Sequence, residues 1–262
     1  MPRSRANVVS TFLLIKGALI QPTRDVLTHW DLARTAKDNL DDFKMSDRGG
    51  IGTANWRRDV AFVLQRRYDL DGEDRIVVEL ATGTASYDVW RAVLLFHMTR
   101  DEFLVRDLLV NWLFARHATG VWRLRPEDLD DYVLALHRRE GVVIKDKWSK
   151  RTTHDVKAAL LRLAVEFGLM TGTTTREFVS YHLPDDAFLY LLHAMVEAEP
   201  NAHRMVHSPD WRMYLMAPDD VQRELFRLHQ LGFLRYEVAG SIAELRLPHA
   251  TAADFARKEL MP

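Results

Sequence analysis

The sequence predicts a mainly α fold, with an N-terminal helical domain over residues 1–118 and two winged helix-turn-helix-like domains with short β-hairpin wings over residues 119–183 and 184–262. Three observations predict it. Apolar residues recur at helical spacing through the first 118 residues without a series of strands. Two later helices each end at a glycine. Each of these glycines precedes a short segment rich in β-branched and aromatic residues, the composition of a wing.

The N-terminal domain is predicted to be a set of helices because its apolar residues repeat every three or four positions between breaks rich in glycine, proline and aspartate. Two basic clusters, Trp56-Arg57-Arg58 and Arg66-Arg67, are interpreted as solvated helix edges. The predicted helices cover residues 8–19, 25–39, 55–68, 74–80, 87–99 and 102–117.

In the middle domain, a first helix is predicted to open at Pro126, where a proline and two acidic residues suit a helix N-terminus. The second helix carries one apolar stripe, and Gly168 is placed to end it in the left-handed conformation. Residues 171–183 then form the predicted wing, with Gly172 in its turn. The stripe consists of Val156, Leu160, Leu163 and Phe167.

The start of this second helix predicts a phosphate-binding surface. The N–H groups of a helix's first turn have no intrahelical partner and the helix dipole favours an anion there. Residues 141–181 hold seven Lys/Arg against four Asp/Glu, in a chain of net charge −1. We therefore expect duplex DNA as the partner, with about four to six phosphate contacts. A plot of log affinity against log salt concentration should then have a slope of roughly −4 to −5.

The candidate DNA-binding residues have three roles. Four residues at the helix start anchor phosphates, two further along approach the major groove, and the wing from Thr173 to Arg176 touches the adjacent backbone. The phosphate anchors are Lys150, Arg151, Thr152 and Thr153, and the groove residues are His154 and Lys157. The complete set is Lys145, Lys147, Ser149, Lys150, Arg151, Thr152, Thr153, His154, Lys157, Thr174 and Arg176.

The C-terminal domain repeats the pattern more weakly, with a helix over 218–231, a stop at Gly232 and a hairpin formed by 233–238 and 242–247. Arg223, Arg227 and Gln230 recur along one helix face and form a possible second DNA or partner face. Asp219 and Asp220 open this helix, and residues 184–262 hold twelve Asp/Glu against eight Lys/Arg. These acidic residues favour protein contact or a structural role over DNA contact.

Composition and motifs argue against several other functions. The chain has no cysteine, which excludes disulfides and thiolate zinc sites. It shows no phosphate-binding loop, zinc-protease helix or nucleophile elbow, so we expect neither an enzyme nor a cofactor. We also expect no metal, because the acidic run from Asp69 to Asp74 lacks calcium-loop spacing and His203 with His207 lacks a third ligand. No apolar run reaches about 20 residues, so we expect neither secretion nor membrane insertion.

The chain resembles the BrxA family of the bacteriophage exclusion (BREX) defence systems. The most specific part of the resemblance is the Trp148-Ser149-x-x-Thr152 helix start with the Phe167-Gly168-Leu169 helix end, followed by the wing exit from Tyr181 to Pro184. The resemblance implies a cytoplasmic, non-catalytic component of a system that marks host DNA by methylation and blocks phage replication. It also implies DNA binding through helix-turn-helix elements and association with a methyltransferase, an ATPase or a phosphatase-like subunit.

Two alternatives to duplex binding stay open. Winged helices also serve as protein-docking modules, so the chain could be an assembly adaptor whose basic turn meets an acidic partner surface. Proteins of this family have been likened to the RNA-binding antitermination factor NusB, which keeps RNA among the partners. The nearly neutral net charge favours weak DNA binding that partner proteins strengthen.

Overall fold

The N-terminal part of the chain is helical in the computed structural model, which describes residues 8–9, 16–45, 52–144, 147–240 and 242–261. Helices α3 and α5 begin at side-chain caps, since the Thr53 Oγ1 accepts from the Trp56 N–H and the Ser86 Oγ from the Val89 N–H. The helices are α1 (Ile20–Leu27), α2 (Ala36–Met45), α3 (Ala54–Arg67), α4 (Arg75–Thr82) and α5 (Tyr87–Thr99).

The first two helices differ from the sequence prediction. The predicted helix over 8–19 is wrong where the structure describes it, because Val8–Val9 is a strand and residues 16–19 are non-helical; residues 10–15 lie outside the described residues. The predicted helix over 25–39 is also wrong, since α1 ends at Leu27 and α2 starts at Ala36. Thr35 caps the start of α2, because its Oγ1 accepts from the Asp38 N–H at 3.2 Å, and apolar periodicity alone does not show this boundary.

A long helical stretch leads from the N-terminal part into the middle of the chain. It contains α6 (Phe103–Asp107), a π-helical turn (Leu108–Leu113) and α7 (Phe114–Ala118). Within it the buried Asp107 carboxylate accepts hydrogen bonds from the Tyr132 hydroxyl at 2.8 Å and the Asn111 amide at 2.8 Å, and forms an ion pair with Arg139. This network ties the long stretch to the segment that follows.

The middle of the chain alternates short strands with two helices. Strand β2 (Arg123–Leu124) precedes a 3₁₀ turn (Pro126–Leu129) and α8 (Asp130–Leu136), and β3 (Val143–Ile144) precedes α9 (Lys150–Glu166). Strands β4 (Met170–Gly172) and β5 (Arg176–Phe178) follow. Strands β2, β5 and β4 form an antiparallel sheet in that order, with Leu124 and Gly172 both opposite Arg176. Strand β1 (Val8–Val9) pairs in parallel with β3.

The C-terminal part contains α10 (Asp185–Ala198), α11 (Ala202–Val206), a 3₁₀ turn (Pro209–Tyr214) and α12 (Pro218–Gln230). A hairpin of β6 (Arg235–Ala239) and β7 (Ile242–Arg246) follows, and α13 (Ala252–Phe255) with a π turn (Ala256–Leu260) comes last. The predicted α12 helix and its hairpin are therefore confirmed. The described strands pair β6 with β7 alone, without the third strand that the sheet after α9 has.

The core joins all three parts. One contiguous cluster of buried apolar residues runs from the N-terminal helices to the last π turn. Across it the Tyr214 hydroxyl donates to the Ala92 carbonyl at 2.9 Å, and the Thr84 hydroxyl donates to the Leu260 carbonyl at 3.2 Å. The mainly α class is thus confirmed, and the division at residues 118 and 183 stays a prediction.

A buried arginine connects the N-terminal helices to α9. The Arg67 side chain is 2% exposed and pairs with the Glu102 carboxylate, 5% exposed, at 3.2 Å. Its guanidinium also donates to the carbonyls of Ala18 at 2.8 Å and Gly17 at 3.2 Å. The Ala18 N–H in turn donates to the Glu166 carboxylate of α9 at 2.8 Å. The interpretation of Arg67 as a solvated helix edge is therefore wrong.

Candidate nucleic-acid interface

The predicted recognition helix begins at a side-chain cap. The Ser149 Oγ accepts a hydrogen bond from the Thr152 N–H at 3.0 Å, and the Thr153 hydroxyl donates to the Ser149 carbonyl at 3.0 Å. Just before the cap, the Trp148 ring packs edge-on against His137 at a centroid distance of 4.7 Å. These contacts fix the direction of the first turn, where helix N–H groups without an intrahelical partner attract anions.

The other end of α9 follows the sequence prediction. Gly168 takes the left-handed conformation at φ 78°, and all four residues of the predicted stripe are buried. The Arg91 guanidinium lies beside Gly168, 3.0 Å from the position that a Cβ would occupy there. A cation at this place complements the negative end of the helix dipole. The stripe is thus turned inward and the opposite face of α9 is left to solvent.

Four predicted site residues with basic or imidazole side chains lie on the exposed surface around the first turns of α9. They are Lys147, Lys150, Arg151 and His154. Arg151 forms an ion pair with Asp155 at 3.1 Å, and the two side chains are 87% and 40% exposed. An exposed pair of this kind contributes about 0–1 kcal/mol, so a phosphate can compete for the guanidinium. We call Lys147, Lys150, Arg151 and His154 the α9 surface.

The hydroxyl residues at the helix start have a different role from the predicted one. Ser149 and Thr152 hydroxyl oxygens lie 2.9 Å apart, and both belong to the cap. Thr153 is partly buried and also bonds within the cap. These side chains stabilise the conformation of the helix N-terminus. An anion bound there would contact the free N–H groups of the first turn and the neighbouring cations. Lys145 lies outside the described residues.

Two predicted cations lie inside the protein. Lys157 is 7% exposed and forms an ion pair with Asp130 of α8. Arg176 is 8% exposed, and its Nε has no hydrogen-bond partner in the part of the chain that the structure describes. Burial lowers the pKa of Arg176, and the nearby Arg162 charge lowers it further. Neither side chain belongs to the α9 surface, which therefore has fewer cations than the sequence suggested.

The turn between β4 and β5 presents small polar residues. Thr174 is exposed, and the Thr175 hydroxyl accepts from the Arg125 Nε at 3.1 Å. Gly172 has φ 96°, and a Cβ there would lie 2.2 Å from the Thr175 carbonyl oxygen. The turn therefore requires glycine at position 172, and Arg125 restrains the threonine that follows.

The possible second face on α12 consists of arginines that already have acidic partners. Arg223 pairs with Asp220 at 3.0 Å, and Arg227 pairs with Asp185 and with Glu224 at 2.8 Å. The hydrogen bond with Asp185, followed by that with Glu224, raises the pKa of Arg227. Gln230 is exposed on this face. A phosphate would have to displace these carboxylates, which makes the α12 face a poorer anion site than the α9 surface.

The structure also reveals a cleft of about 290 Å³ that the sequence did not indicate. His117, Tyr181, His182, Asp220, Arg223 and Glu224 are among the residues that line it. Burial raises the pKa of Tyr181 to about 12. Asp220 pairs with Arg223, and Glu224 pairs with Arg227, so its charged groups form salt bridges.

A buried acid–histidine–tyrosine network joins the N-terminal helices to α10. His97 Nδ1 lies 2.7 Å from Asp74 Oδ1, and His97 Nε2 lies 2.8 Å from the Tyr190 hydroxyl. Burial raises the pKa of Tyr190. All three residues are at most 2% exposed, so a substrate in solvent does not reach them. The network links α4, α5 and α10, and separations of 23 and 93 residues hide it from sequence patterns.

Candidate metal sites and membrane-spanning helices are both absent from the described residues. No group of three histidine or acidic side chains there could hold a metal ion. His203 and His207 stack on each other at 4.3 Å without a third ligand in that part of the chain. Among the described helices none is long and apolar enough to cross a membrane.

Together these features define a mainly helical protein with a capped, basic helix N-terminus close to a small antiparallel sheet. The BrxA family model matches residues 13–194, which is more than half of the chain, and the chain belongs to the BrxA family. The resemblance inferred from the helix start and end is confirmed. Membership associates the chain with BREX phage defence and its components. No curated protein and no solved structure matches the chain.

Proposed function

We propose that the chain is a non-catalytic DNA-binding component of a BREX system, which binds duplex DNA through the α9 surface and associates in the cytoplasm with the methyltransferase, ATPase or phosphatase-like subunits. One observation carries the proposal. Lys150 and Arg151 lie exposed at the capped N-terminus of α9, where charged side chains and helix N–H groups act on the same anion.

The order of elements supports a winged-helix reading of the region around α9. A helix, α7, is followed by β2, α8, α9 and then β4 and β5, and the sheet order is β2-β5-β4. In helix-turn-helix proteins the second helix of the pair enters the major groove with its N-terminal residues toward the bases. By this analogy, α9 is the groove helix and His154 is the side chain nearest the base edges.

Burial of two predicted cations lowers the expected strength of binding. Lys157 and Arg176 are less than a tenth exposed, which leaves Lys147, Lys150 and Arg151 as the cations of the α9 surface. With three phosphate contacts, a plot of log affinity against log salt concentration should have a slope of about −3 rather than −4 to −5. Such binding is weak at physiological salt, which fits a subunit that acts with partners.

The test measures fluorescence anisotropy of a labelled random duplex across a salt series. We expect affinity to fall with salt at a slope of about −3, and Lys150→Glu/Arg151→Glu to abolish binding at every salt concentration. The matched control is Arg204→Glu/Lys258→Glu, which makes the same charge change at two exposed positions outside the α9 surface and should retain most of the affinity. A flat salt response, or equal losses in the two double variants, would refute the proposal.

A second candidate function concerns α12. Phe226 is 41% exposed in the middle of its solvent face, and it packs against Tyr236 at 5.1 Å. With the neighbouring arginines already paired, we propose that this helix contacts an apolar surface of another protein and not DNA. Phe226→Asp should then weaken co-purification with a BREX subunit while leaving duplex binding unchanged, and loss of duplex binding would contradict this assignment.

A further inference from the structure

An exposed tryptophan lies at the edge of the sheet in the middle of the chain. Trp122 is 57% exposed, although its backbone is fixed because its carbonyl accepts from the Phe178 N–H at 2.9 Å. It directly precedes β2, which is the edge strand farthest from β4 and therefore from the end of α9. Water contact over so large an apolar ring is unfavourable, and tryptophan is enriched at binding interfaces.

The groups around Trp122 are cationic. The Arg123 guanidinium lies over the Trp122 ring, 3.7 Å from its centroid. Residues 108–125 contain three arginines and a histidine but no aspartate or glutamate. Of these, Arg116 and His117 belong to α7, whose end leads to Trp122: the Arg116 guanidinium lies 5.3 Å from the centroid of the Trp112 ring, and the His117 ring packs against Phe178 at 5.1 Å.

One carboxylate faces this surface. Glu177 of β5 lies opposite Arg123, and the two charged groups are 3.6 Å apart with side chains 43% and 50% exposed. A pair this long and this exposed contributes little, about 0–1 kcal/mol. An approaching phosphate can therefore take the Arg123 guanidinium from Glu177, and a base can stack on the indole face that Arg123 does not cover.

From this arrangement we propose that Trp122 and Arg123 form a second nucleic-acid site, which binds single-stranded nucleic acid. An unpaired base stacks on the face of the Trp122 ring that Arg123 does not cover, and a neighbouring phosphate contacts Arg123. A paired base in a duplex is stacked on its neighbours and does not present its face to a side chain. The site thus has a different ligand from the α9 surface, and it stands or fails independently of duplex binding.

The test uses the full chain and labelled oligo(dT) and oligo(rU) of about 12 nucleotides, a length within the range that single-strand binding folds cover. The binding of each is measured by anisotropy at low salt, beside the random duplex. Trp122→Ala should weaken single-strand binding by about 5- to 150-fold, as loss of one stacked base does. Trp122→Phe should retain most of the affinity, Arg123→Gln should lower it, and Glu177→Gln should raise it.

Controls separate this site from the first one. Phe233→Ala removes another exposed aromatic ring, 49% exposed, and should leave single-strand binding unchanged. Lys150→Glu/Arg151→Glu should abolish duplex binding but retain binding to the single strands. Trp122→Ala should weaken binding to the single strands but retain duplex binding. The circular dichroism melt shows whether Trp122→Ala folds. If it does not fold, the other two variants test the proposal, because Arg123→Gln should lower the affinity for single strands and Glu177→Gln should raise it. The proposal is overturned if the wild-type protein does not bind single strands at low salt, or if Trp122→Ala binds them with wild-type affinity.

Discussion

Lys157 of α9 forms an ion pair with Asp130 of α8, and the lysine side chain is 9% exposed whereas the aspartate side chain is 66% exposed. The cation on the helix that we propose for DNA contact is therefore neutralised by a carboxylate that faces solvent. A phosphate approaching α9 would meet Asp130 before it met Lys157. We therefore expect the pair to reduce the affinity for DNA that we propose for this helix.

Removing the carboxylate should strengthen duplex binding. In Asp130→Asn, Lys157 loses its partner and can turn toward a phosphate, so we expect roughly fivefold tighter binding, equivalent to about 1 kcal/mol. The salt slope should steepen by about 0.9, the contribution of one added phosphate contact. The measurement is the same duplex anisotropy series.

Asp131→Asn is the matched control, because it changes the net charge equally but leaves the Lys157–Asp130 pair intact. It should tighten binding slightly at low salt without changing the slope. Equal slopes for wild type and Asp130→Asn would show that Lys157 stays buried when its partner is gone.

The turn after β4 depends on Gly172. Its φ of 96° is a conformation that residues with a Cβ rarely adopt, and the added Cβ would meet the Thr175 carbonyl oxygen at 2.2 Å. Gly172→Ala should therefore lower the free energy of unfolding by about 2 kcal/mol or more. Gly232→Ala is the control, since φ is 81° there but a Cβ meets nothing within 4 Å, and about 1 kcal/mol is expected.

Urea unfolding measures both glycine variants. Circular dichroism follows the loss of helix. Both variants carry the cost of a positive φ, so the difference between their free energies of unfolding reports the steric contact with Thr175. If Gly232→Ala proves as damaging as Gly172→Ala, steric contact in the turn is not what fixes glycine at position 172.

The buried pair of Arg67 and Glu102 should dominate the stability of the N-terminal part. Arg67→Met leaves a buried carboxylate without its cation, which we expect to cost about 3–5 kcal/mol in the free energy of unfolding. The double variant Arg67→Met/Glu102→Met removes both charges and should cost less than the single one. Arg58→Met changes an exposed arginine of the same helix and should stay within about 0.5 kcal/mol of wild type.

Chemical denaturation provides these comparisons. A single variant that loses less than about 1 kcal/mol, or a double variant worse than the single, would mean that water reaches this pair in solution.

His193 should make stability depend on pH. Its Nδ1 donates to the Leu189 carbonyl at 2.7 Å, its ring stacks on Phe255 at 4.8 Å, and its Nε2 has no hydrogen-bond partner among the described residues. Burial lowers its pKa below 6.5, the charge of His249 lowers it further, and the Leu189 carbonyl and Glu197 oppose the shift. The folded protein therefore holds the neutral ring.

The unfolded chain takes up this proton at higher pH than the folded protein, so the stabilising effect is complete above pH 6.5 and is lost as the pH falls toward the folded pKa. The urea midpoint of wild type should decrease across that window. In His193→Gln the decrease should be smaller, and equal slopes in both proteins would assign the effect to other groups.

Local sequence signals predicted α9 well because they are complete within a few residues. The cap at Ser149, the buried stripe and the left-handed Gly168 all follow from contacts within about four positions. The burial of Lys157 does not, because its partner is 27 residues away in the chain. The prediction that Arg67 is solvated was wrong for the same reason, since its hydrogen-bond partners lie 35 to 50 residues away in the chain.

Long-range pairing also explains the missed strands. Strands β1 and β3 are two residues long, and each exists through its partner 135 positions away, with Val8 opposite Val143. Two residues are too few for an alternating pattern. The Trp122 site did leave a signal, namely a tryptophan beside arginines within an 18-residue stretch without an acid, residues 108–125. Only its exposure in the structure separates it from a core tryptophan.

The hydrogen bonds of Gly17 and Ala18 to Arg67 on one side and Glu166 on the other make the N-terminal helices and α9 a single linked system. A subunit that binds near α3 and displaces this short segment would release the C-terminal end of α9 and change its affinity for DNA. Thermodynamic reciprocity then requires that DNA change the affinity for that subunit by the same factor. Under the function proposed above, the occupancy of α9 by DNA and the binding of a subunit near α3 would then be coupled through Gly17 and Ala18.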